Sequence, residues 1–363
     1  MKKWKIAGIS FDHMHMGDLL REAGSHPRAE IAGIADDNPE NAESLALVRE
    51  TLGIPQDRVF RDFGACLEKT NPDLVILCAA TALHADFVER IAPCGAAILV
   101  EKPFAADLAA ADRMIKAAEA AGVLLAVNWP LAWYPVHLTS KRLIDSGLIG
   151  TLCEVHYYDG NRGPTHHLMD KIAVSEDEAL AKTKSSWWYR KDSGGGSLLD
   201  YLGYGTTLGT WFHGGRIPEE VTAAAWSRSG IEVDEHSIVA AKYRHGLSKY
   251  ETRWGTFTDP WVHQPQPQTG FILVGTEGTI ASYDYAGTVR VQTREKPEGY
   301  EIAVDQPPAA MAGPVAHLIG ILENGGPLHG PLSLPIARSG QRIVDAARLS
   351  VEQRRTVRLE ELP

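Results

Sequence analysis

Over the first third of the chain, short unbroken apolar runs alternate with segments of helical period. The clearest run is Asp73-Leu74-Val75-Ile76-Leu77-Cys78-Ala79-Ala80, and a second, Ile98-Leu99-Val100, leads directly into Glu101-Lys102-Pro103. Runs of that length, rich in Val and Ile, suit strands buried on both faces of a parallel sheet. The surrounding pattern predicts further strands at 5–9, 30–35, 59–60 and 123–127. Helices are predicted at 17–23, 39–51, 63–69, 84–92 and 107–121, with Asn38 and Pro39 as N-cap and first residue of the second and Gly122 ending the last. Strands separated by helices of this length give right-handed βαβ units and a doubly wound α/β sheet of the dinucleotide-binding type.

Beyond residue 127 the texture changes, so the chain is divided into a dinucleotide-binding domain (1–127) and an α+β domain (128–363). A helix is predicted at 135–146. Period-two strands follow at 151–158, 221–227, 236–243, 247–255, 269–274 and 278–283, joined by tight turns such as Arg244-His245-Gly246. That spacing predicts a large, mostly antiparallel sheet. The polar stretch 163–184 reads as a long loop with a helical piece, 261–267 as a surface loop, and 335–353 as a terminal helix opening on proline.

Composition removes several function classes. The 363 residues are 44% hydrophobic and 23% charged, with a formal net charge of −10 and no basic run, which argues against nucleic acid. No apolar stretch approaches the ~20 residues of a membrane span, and the basic start leads straight into a strand without a signal peptide's apolar core. Cys66, Cys78, Cys94 and Cys153 lack paired spacing, so reduced thiols in a cytoplasmic protein are expected rather than a disulfide frame or a zinc site.

Lys102 is released at the carboxyl end of a strand, where ligands bind in open α/β sheets. The first strand–helix turn, Gly8-Ile9-Ser10-Phe11-Asp12-His13-Met14-His15-Met16-Gly17, stands where a glycine-rich turn would bring backbone amides to a pyrophosphate. Gly8 fits the first glycine position, while Ser10 and His13 occupy the second and third. The same turn admits a metal-dependent hydrolase reading, with Asp12, His13 and His15 as ligands at a β/α-barrel strand end. It also admits a polar loop without function. Asp36 closes the second strand, where a carboxylate bonds both ribose hydroxyls and repels a 2′-phosphate, favouring NAD while leaving NADP possible.

At Glu101-Lys102-Pro103 the sequence resembles the glucose–fructose oxidoreductase, inositol dehydrogenase and rhizopine-catabolism (Gfo/Idh/MocA) family. Three further stretches follow in the family's order: Cys78-Ala79-Ala80-Thr81 with Leu83-His84-Ala85-Asp86, then Ile144-Asp145-Ser146-Gly147-Leu148-Ile149-Gly150, then Ser193-Gly194-Gly195-Gly196-Ser197-Leu198-Leu199-Asp200. The resemblance implies a Rossmann domain whose cofactor contacts include Gly8, Ser10, Phe11, Asp12, His13, Asp36, Ala79, Ala80, Thr81, His84, Glu101, Lys102 and Asn128. It places Lys102 beside the nicotinamide and the reacting hydroxyl. Asp200 and Tyr204, four apart, share a helix face. The family usually has histidine at the second position, and Tyr204 departs from that. A phenol needs Lys102 to lower its pKa before acting as a base, and less tuning as a proton donor. A Lys102–Tyr204 pair is therefore expected, with Asp200 orienting the substrate or the pair. Alternatively, Tyr201 and Tyr204 are aromatic packing.

Trp187-Trp188-Tyr189-Arg190 offers sugar-stacking rings and a hydroxyl-binding guanidinium, or a core cluster. The expected substrate contacts are Lys102, Trp129, Arg162, Trp188, Arg190, Asp200 and Tyr204. Asp159, Arg162, His166 and His167 lie in the variable loop after the 151–158 strand, within reach of the substrate, with a solvated position the ordinary reading for the histidines. An arginine the family often carries after Asn128-Trp129 is absent, with Pro130 and Leu131 in its place. The expected function is an NAD(P)-dependent oxidoreductase acting on a sugar or polyol. The rivals are the metal-dependent hydrolase, which predicts a barrel, and a non-enzymatic sensor or scaffold, supported by the missing glycines. By resemblance, a homodimer or homotetramer forms through the second domain's sheet.

Overall fold

The computed structural model describes residues 2–183, 185–308 and 312–363, so the Lys184 end of the polar stretch lies outside the described residues. The first unit runs β1 (Trp4–Phe11), α1 (His15–Ser25), β2 (Ala29–Ala35), α2 (Ala42–Thr51), β3 (Val59–Phe60), α3 (Phe63–Thr70), β4 (Leu74–Cys78), α4 (His84–Ile91), β5 (Ala97–Glu101), α5 (Leu108–Ala121) and β6 (Leu125–Asn128). The strands form one sheet in the order β3-β2-β1-β4-β5-β6, every pair parallel. The apolar runs that predicted β4 and β5 are buried at every position, as strands covered on both faces must be. Asp107 caps α5 by accepting from the Ala110 amide at 2.8 Å, and Gly122 ends it at φ 67°. Asn38 caps a single 3₁₀ turn, Pro39–Asn41, that precedes α2. Strand order reverses between β1 and β4, and a crevice opens at the carboxyl ends there.

The second unit continues with α6 (Pro135–Asp145), β7 (Leu152–Asn161), α7 (Glu176–Thr183), α8 (Ser197–Phe212), β8 (Glu220–Trp226), β9 (His236–Tyr243), β10 (Gly246–Trp254), β11 (Gly270–Gly275), β12 (Gly278–Tyr283), β13 (Thr288–Thr293), β14 (Tyr300–Ala303), α9 (Pro314–Asn324), α10 (Leu334–Gln353) and β15 (Val357–Arg358). Nine strands make a sheet in the order β14-β13-β12-β11-β7-β10-β9-β8-β15, antiparallel except for the parallel pair β7–β10. The sheet is as expected in kind and larger in extent. Strand β13, edge strands β14 and β15 and helix α9 have no counterpart among the predicted elements. β7 runs three residues past its predicted end, which carries Asp159 out of the expected loop and into the sheet.

Helix α8 lies on the inner face of this sheet. A Cβ at Gly205 would stand 2.4 Å from the Tyr157 ring, so only glycine lets the helix approach that closely. α10 packs on α8 and returns to the first unit. There Arg338 meets Asp112 at 2.6 Å, and the buried Asp345 carboxylate accepts from the Leu108 amide at 2.7 Å. These bonds fix the angle between the halves, and a charge-assisted bond of this kind contributes about 1.5–3 kcal/mol. The sheet's outer face leaves Trp226, Leu247 and Ile238 exposed.

Candidate active site

The first strand–helix turn differs in register from the sequence reading. Ser10 adopts φ 63°, and the β1–β4 pairing shifts between Ile9 and Phe11. A bulge there lets the strand resume and run to Phe11. The turn therefore falls at Asp12–Met14, with α1 starting at His15. Gly8, expected as the first glycine of the turn, lies inside β1. A Cβ there would meet Met16 Sδ at 2.9 Å, so its absence lets α1 close on the strand. Asp12 turns its carboxylate towards the sheet ends, accepting from the Ala80 amide at 2.8 Å and Asn41 Nδ2 at 2.7 Å. Asp36 accepts from the Phe11 amide at 2.6 Å, the Asn38 amide at 2.8 Å and Asn41 at 2.9 Å, while burial pushes its carboxyl above the usual range.

Glu101 is fully buried between three donors. Asn128 Nδ2 reaches Oε2 at 2.6 Å, and Oε1 lies 2.8 Å from His15 Nδ1 and 3.8 Å from His13 Nε2. The donor atoms of His13, His15 and Glu101 fall within 4.8 Å of one another, a spacing a metal could bridge. The hydrogen bonds oppose that use. His13 Nδ1 accepts the His15 amide at 3.1 Å, so the neutral ring carries its proton on Nε2, the nitrogen facing Glu101. A protonated nitrogen has no lone pair for a metal. Burial holds His13 well below its usual range, so the ring stays neutral. The hydrolase reading fails on architecture too, because the strands form open sheets and Asp12 faces Asn41 and Ala80 rather than the histidines.

Lys102 crosses the crevice to the second unit. Its ammonium is 2.5 Å from Asp200 Oδ1, both side chains being buried, and the Trp254 indole N–H donates to Asp200 Oδ2 at 2.9 Å. Asp200 and Tyr204 share a face of α8, as their spacing requires. The ammonium lies 5.4, 5.8 and 5.5 Å from the ring centroids of Trp188, Tyr201 and Tyr204. To the expected Lys102–Tyr204 pair the structure adds a Lys102–Asp200 ion pair, with the Tyr204 ring beside the ammonium. Burial, reinforced by Glu101 and Asp200, holds the Tyr204 hydroxyl well above its ordinary range, so it is protonated and suits donation rather than abstraction.

Between the units lies a cavity of ≈ 680 Å³ that extends from Asn38 and Val48 past Asp12 to Lys102 and Tyr204. Phe11, Asp12, His13, Ala80, Trp188, Asp200 and Arg190 also line it, the last at an exposed edge where it is paired with Asp192 at 2.9 Å. Ala79, Thr81 and His84 stand behind Ala80. His84 sits with its ring nitrogens 3.1 and 2.9 Å from the carbonyls of Phe104 and Ala79, a structural wedge rather than a cavity contact. Two expected substrate residues lie elsewhere. Trp129 is buried in the seam and packs behind Tyr204 at 5.4 Å, because Gly203 leaves room for its ring. Arg162 lines a separate cavity and pairs with Glu176 at 3.1 Å. His166 and His167, expected in solvent, are buried, and His167 meets Asp259 at 2.8 Å.

The sequence reading missed Tyr134, Trp261, Asp284 and Tyr285, which line the same cavity. Tyr134 and Tyr285 join hydroxyls at 2.9 Å, although 151 residues separate them. No local spacing could have announced that pair. The residues of the first unit suit a dinucleotide: the α1 N-terminus stands at the switch point, Asp36 closes the neighbouring β2, and the cavity leads from Asn38 past that turn to Lys102.

The family profile described as oxidoreductase family, NAD-binding Rossmann fold matches residues 2–129, and that of the GFO/IDH/MocA C-terminal domain matches residues 137–281. The chain is 25% identical over 311 residues to the dTDP-3,4-didehydro-2,6-dideoxy-alpha-D-glucose 3-reductase of Streptomyces violaceoruber, covering 81% of this chain and 79% of that one. It is 35% identical over 123 residues to the D-apiose dehydrogenase of Paraburkholderia graminis, covering 34% and 32%. An oxidoreductase from Agrobacterium radiobacter, solved with NAD⁺, L-tartaric acid and magnesium, superposes with a TM-score of 0.77 at 19% identity over 99% of both chains. The aldose–aldose oxidoreductase of Caulobacter crescentus, complexed with glycerol, gives 0.77 and 19% over 98% and 100%. The two profile matches, in the order of the two sheets, establish that the chain belongs to the GFO/IDH/MocA family of NAD-binding oxidoreductases.

Proposed function

We propose that this protein transfers a hydride between a nicotinamide and a secondary alcohol, or the corresponding ketone, of a sugar, polyol or sugar derivative. Residues 1–127 serve as the cofactor half and 128–363 as the substrate half. The observation that carries the reading is the Lys102–Asp200 ion pair, which joins the halves beside Tyr204 within a continuous cavity. The names of the sugar reductases and dehydrogenases it resembles support the substrate class.

The α1 N-terminus, Phe11 to His13 and Asp36 would hold the dinucleotide, and Ala80, Glu101 and Asn128 would back its nicotinamide end. Bound there, the cofactor supplies or accepts the hydride. Lys102 places a positive charge where the substrate oxygen develops negative charge, which lowers the barrier. Asp200 and Trp254 hold that ammonium in place. Tyr204, protonated in its buried setting, gives a proton to the oxygen in the reducing direction. Asp36, with Glu40 and Glu43 near the same end, disfavours a 2′-phosphate, so NAD is preferred over NADP. The apolar outer face of the second sheet supports a homodimer or homotetramer.

Two measurements test this reading. Fluorescence titration should show NADH binding with a dissociation constant of about 1 μM–1 mM, the span of ordinary enzyme ligands; absence of binding returns the protein to the scaffold reading. Lys102→Met should then lower turnover by about 10²–10⁴-fold, as for loss of a positioned acid–base or electrostatic group. A variant within threefold of the parent would remove Lys102 from the chemistry.

A further inference from the structure

The substrate end of the cavity is unusual in its charge. Asp159, near the end of β7, and Asp284, just after β12, both line it and are 6% and 4% exposed. Burial and the neighbouring Asp284 push the Asp159 carboxyl up to about 8. Tyr157 donates its hydroxyl to Asp159 Oδ2 at 2.8 Å. Asp284 Oδ1 has no hydrogen-bond partner among the described residues, although the buried His137 Nε2 lies within ion-pairing distance at 2.8 Å. Thr165 Oγ1 and His167 Nδ1, on two more buried lining residues, are also without hydrogen-bond partners among the described residues. Buried polar atoms are rarely left in this state, and a ligand with several hydrogen-bonding groups would answer them.

Two cations of the same cavity are paired with carboxylates. Lys102 is paired with Asp200 at 2.5 Å, and the exposed Arg190 with Asp192 at 2.9 Å. Lys171 donates to the Tyr285 hydroxyl at 3.2 Å and lies over the Trp261 and Tyr285 rings at 4.8 and 5.0 Å, within the field of Asp18 and Asp284. Lys182 is exposed. Arg190 is the only arginine among the described lining residues, whereas carboxylates and phosphates are ordinarily gripped by an arginine fork. An anionic group entering here would meet two buried carboxyls and no uncommitted guanidinium. An ammonium would instead be drawn to those two carboxyls, and the faces of Trp261 and Tyr285 also favour a cation.

We propose that Asp159 and Asp284 set the charge of the substrate: polyhydroxylated molecules bind in the order amino-bearing, then uncharged, then acidic. Sugar acids and phosphorylated sugars are refused. This rests on the oxidoreductase reading of the cavity and adds to it the electrostatic class of the substrate.

The test uses the full chain loaded with NADH and measures binding of glucosamine, glucose and glucuronate by calorimetry, in the parent and in Asp159→Asn. The expected result is a dissociation constant about tenfold or more larger for glucuronate than for glucosamine, as befits an unfavourable like-charge contact. Glucose should lie between them, and Asp159→Asn should narrow the gap by weakening the amine and strengthening the acid. Glucuronate binding as tightly as glucosamine, an unchanged gap in Asp159→Asn, or no binding of any of the three by protein that binds NADH would each overturn the proposal. The NADH titration is read separately. If NADH itself fails to bind, the cofactor reading falls, and a failure confined to the sugars leaves that reading standing.

Discussion

On the parallel-sheet side of the cleft, the carboxylates around Lys102 are answered by donors, while the buried Asn128 Oδ1 and Thr81 Oγ1 have no partner among the described residues. Glu101 is held by Asn128 and His15, His13 receives the His15 amide, and Asp12 and Asp36 are bridged by Asn41. On the opposite side, Asp284, Thr165 and His167 keep unpartnered atoms, and three tyrosine hydroxyls, those of Tyr201, Tyr204 and Tyr285, are held protonated by burial. A closed network of hydrogen bonds fixes geometry, because each member is costly to displace. An open one leaves donors and acceptors for something that arrives. The first wall therefore reads as a rigid mount for a constant ligand, and the second as the part that distinguishes substrates. Lys102 belongs to the first by sequence and to the second by its ion pair with Asp200.

The sharpest way to break this division is Tyr204→Phe. The hydroxyl is lost while the ring keeps its contact with Trp129 at 5.4 Å. Turnover should fall about 10²–10⁴-fold, as for removal of a general acid, with NADH affinity and unfolding midpoint close to the parent's. Stopped-flow reduction separates the chemical step from binding. A fall of less than threefold would transfer the proton role to Tyr201, whose hydroxyl lines the same cavity.

A smaller effect is expected at the seam between the walls. A Cβ at Gly203 would stand 2.5 Å from Trp129 Cη2, an indole buried in the seam, and Trp129 packs directly on Tyr204. Gly203→Ala should cost about 1–3 kcal/mol in urea unfolding, the usual penalty for overpacking a filled core, and lower turnover by moving Tyr204. Gly8→Ala is the control on the first wall. Its Cβ would meet Met16 Sδ at 2.9 Å and Leu20 methyls at 3.2 Å, the ends of flexible chains that can yield. It should therefore cost less than Gly203→Ala, and a reversed order would show that α1 tolerates less movement than α8.

What the sequence disclosed follows the same line. Strands β4 and β5 were legible because burial on both faces writes a continuous apolar run, and Lys102 because it stands at the end of one. The Asp200–Tyr204 face was legible from helical period alone. The turn after β1 was misplaced because nothing in Gly8-Ile9-Ser10-Phe11 announces that Ser10 will take a positive φ and let the strand continue. Asp159 was assigned to a loop because polar residues close β7, although neighbouring β10 and its own burial keep it in the sheet. Asp284 and Tyr285 reach the cavity, and Trp254 reaches Asp200, only through the pairing of distant strands. Their positions depend on register across the whole second sheet, which local pattern does not specify.

The smallest effect is the one that bears most directly on how the walls are coupled. Trp254 touches neither Lys102 nor Tyr204 by hydrogen bond; it acts through Asp200, donating to Oδ2 while Lys102 occupies Oδ1. Trp254→Phe removes that N–H and keeps an aromatic ring against Tyr189, now 5.3 Å away. The loss of one hydrogen bond to a carboxylate is worth about 1.5–3 kcal/mol, part of which the remaining Lys102 bond recovers. Turnover should fall by about three- to tenfold, on the scale where 1.4 kcal/mol is a factor of ten. A merely structural role would give the same loss in any background. If Trp254 acts by positioning Asp200, the loss should shrink towards zero in Asp200→Asn, where the charge that receives the N–H is absent, because residues in one network are not additive. Equal losses in the two backgrounds would make Trp254 a packing residue and leave Lys102 alone to align the carboxylate across the cleft.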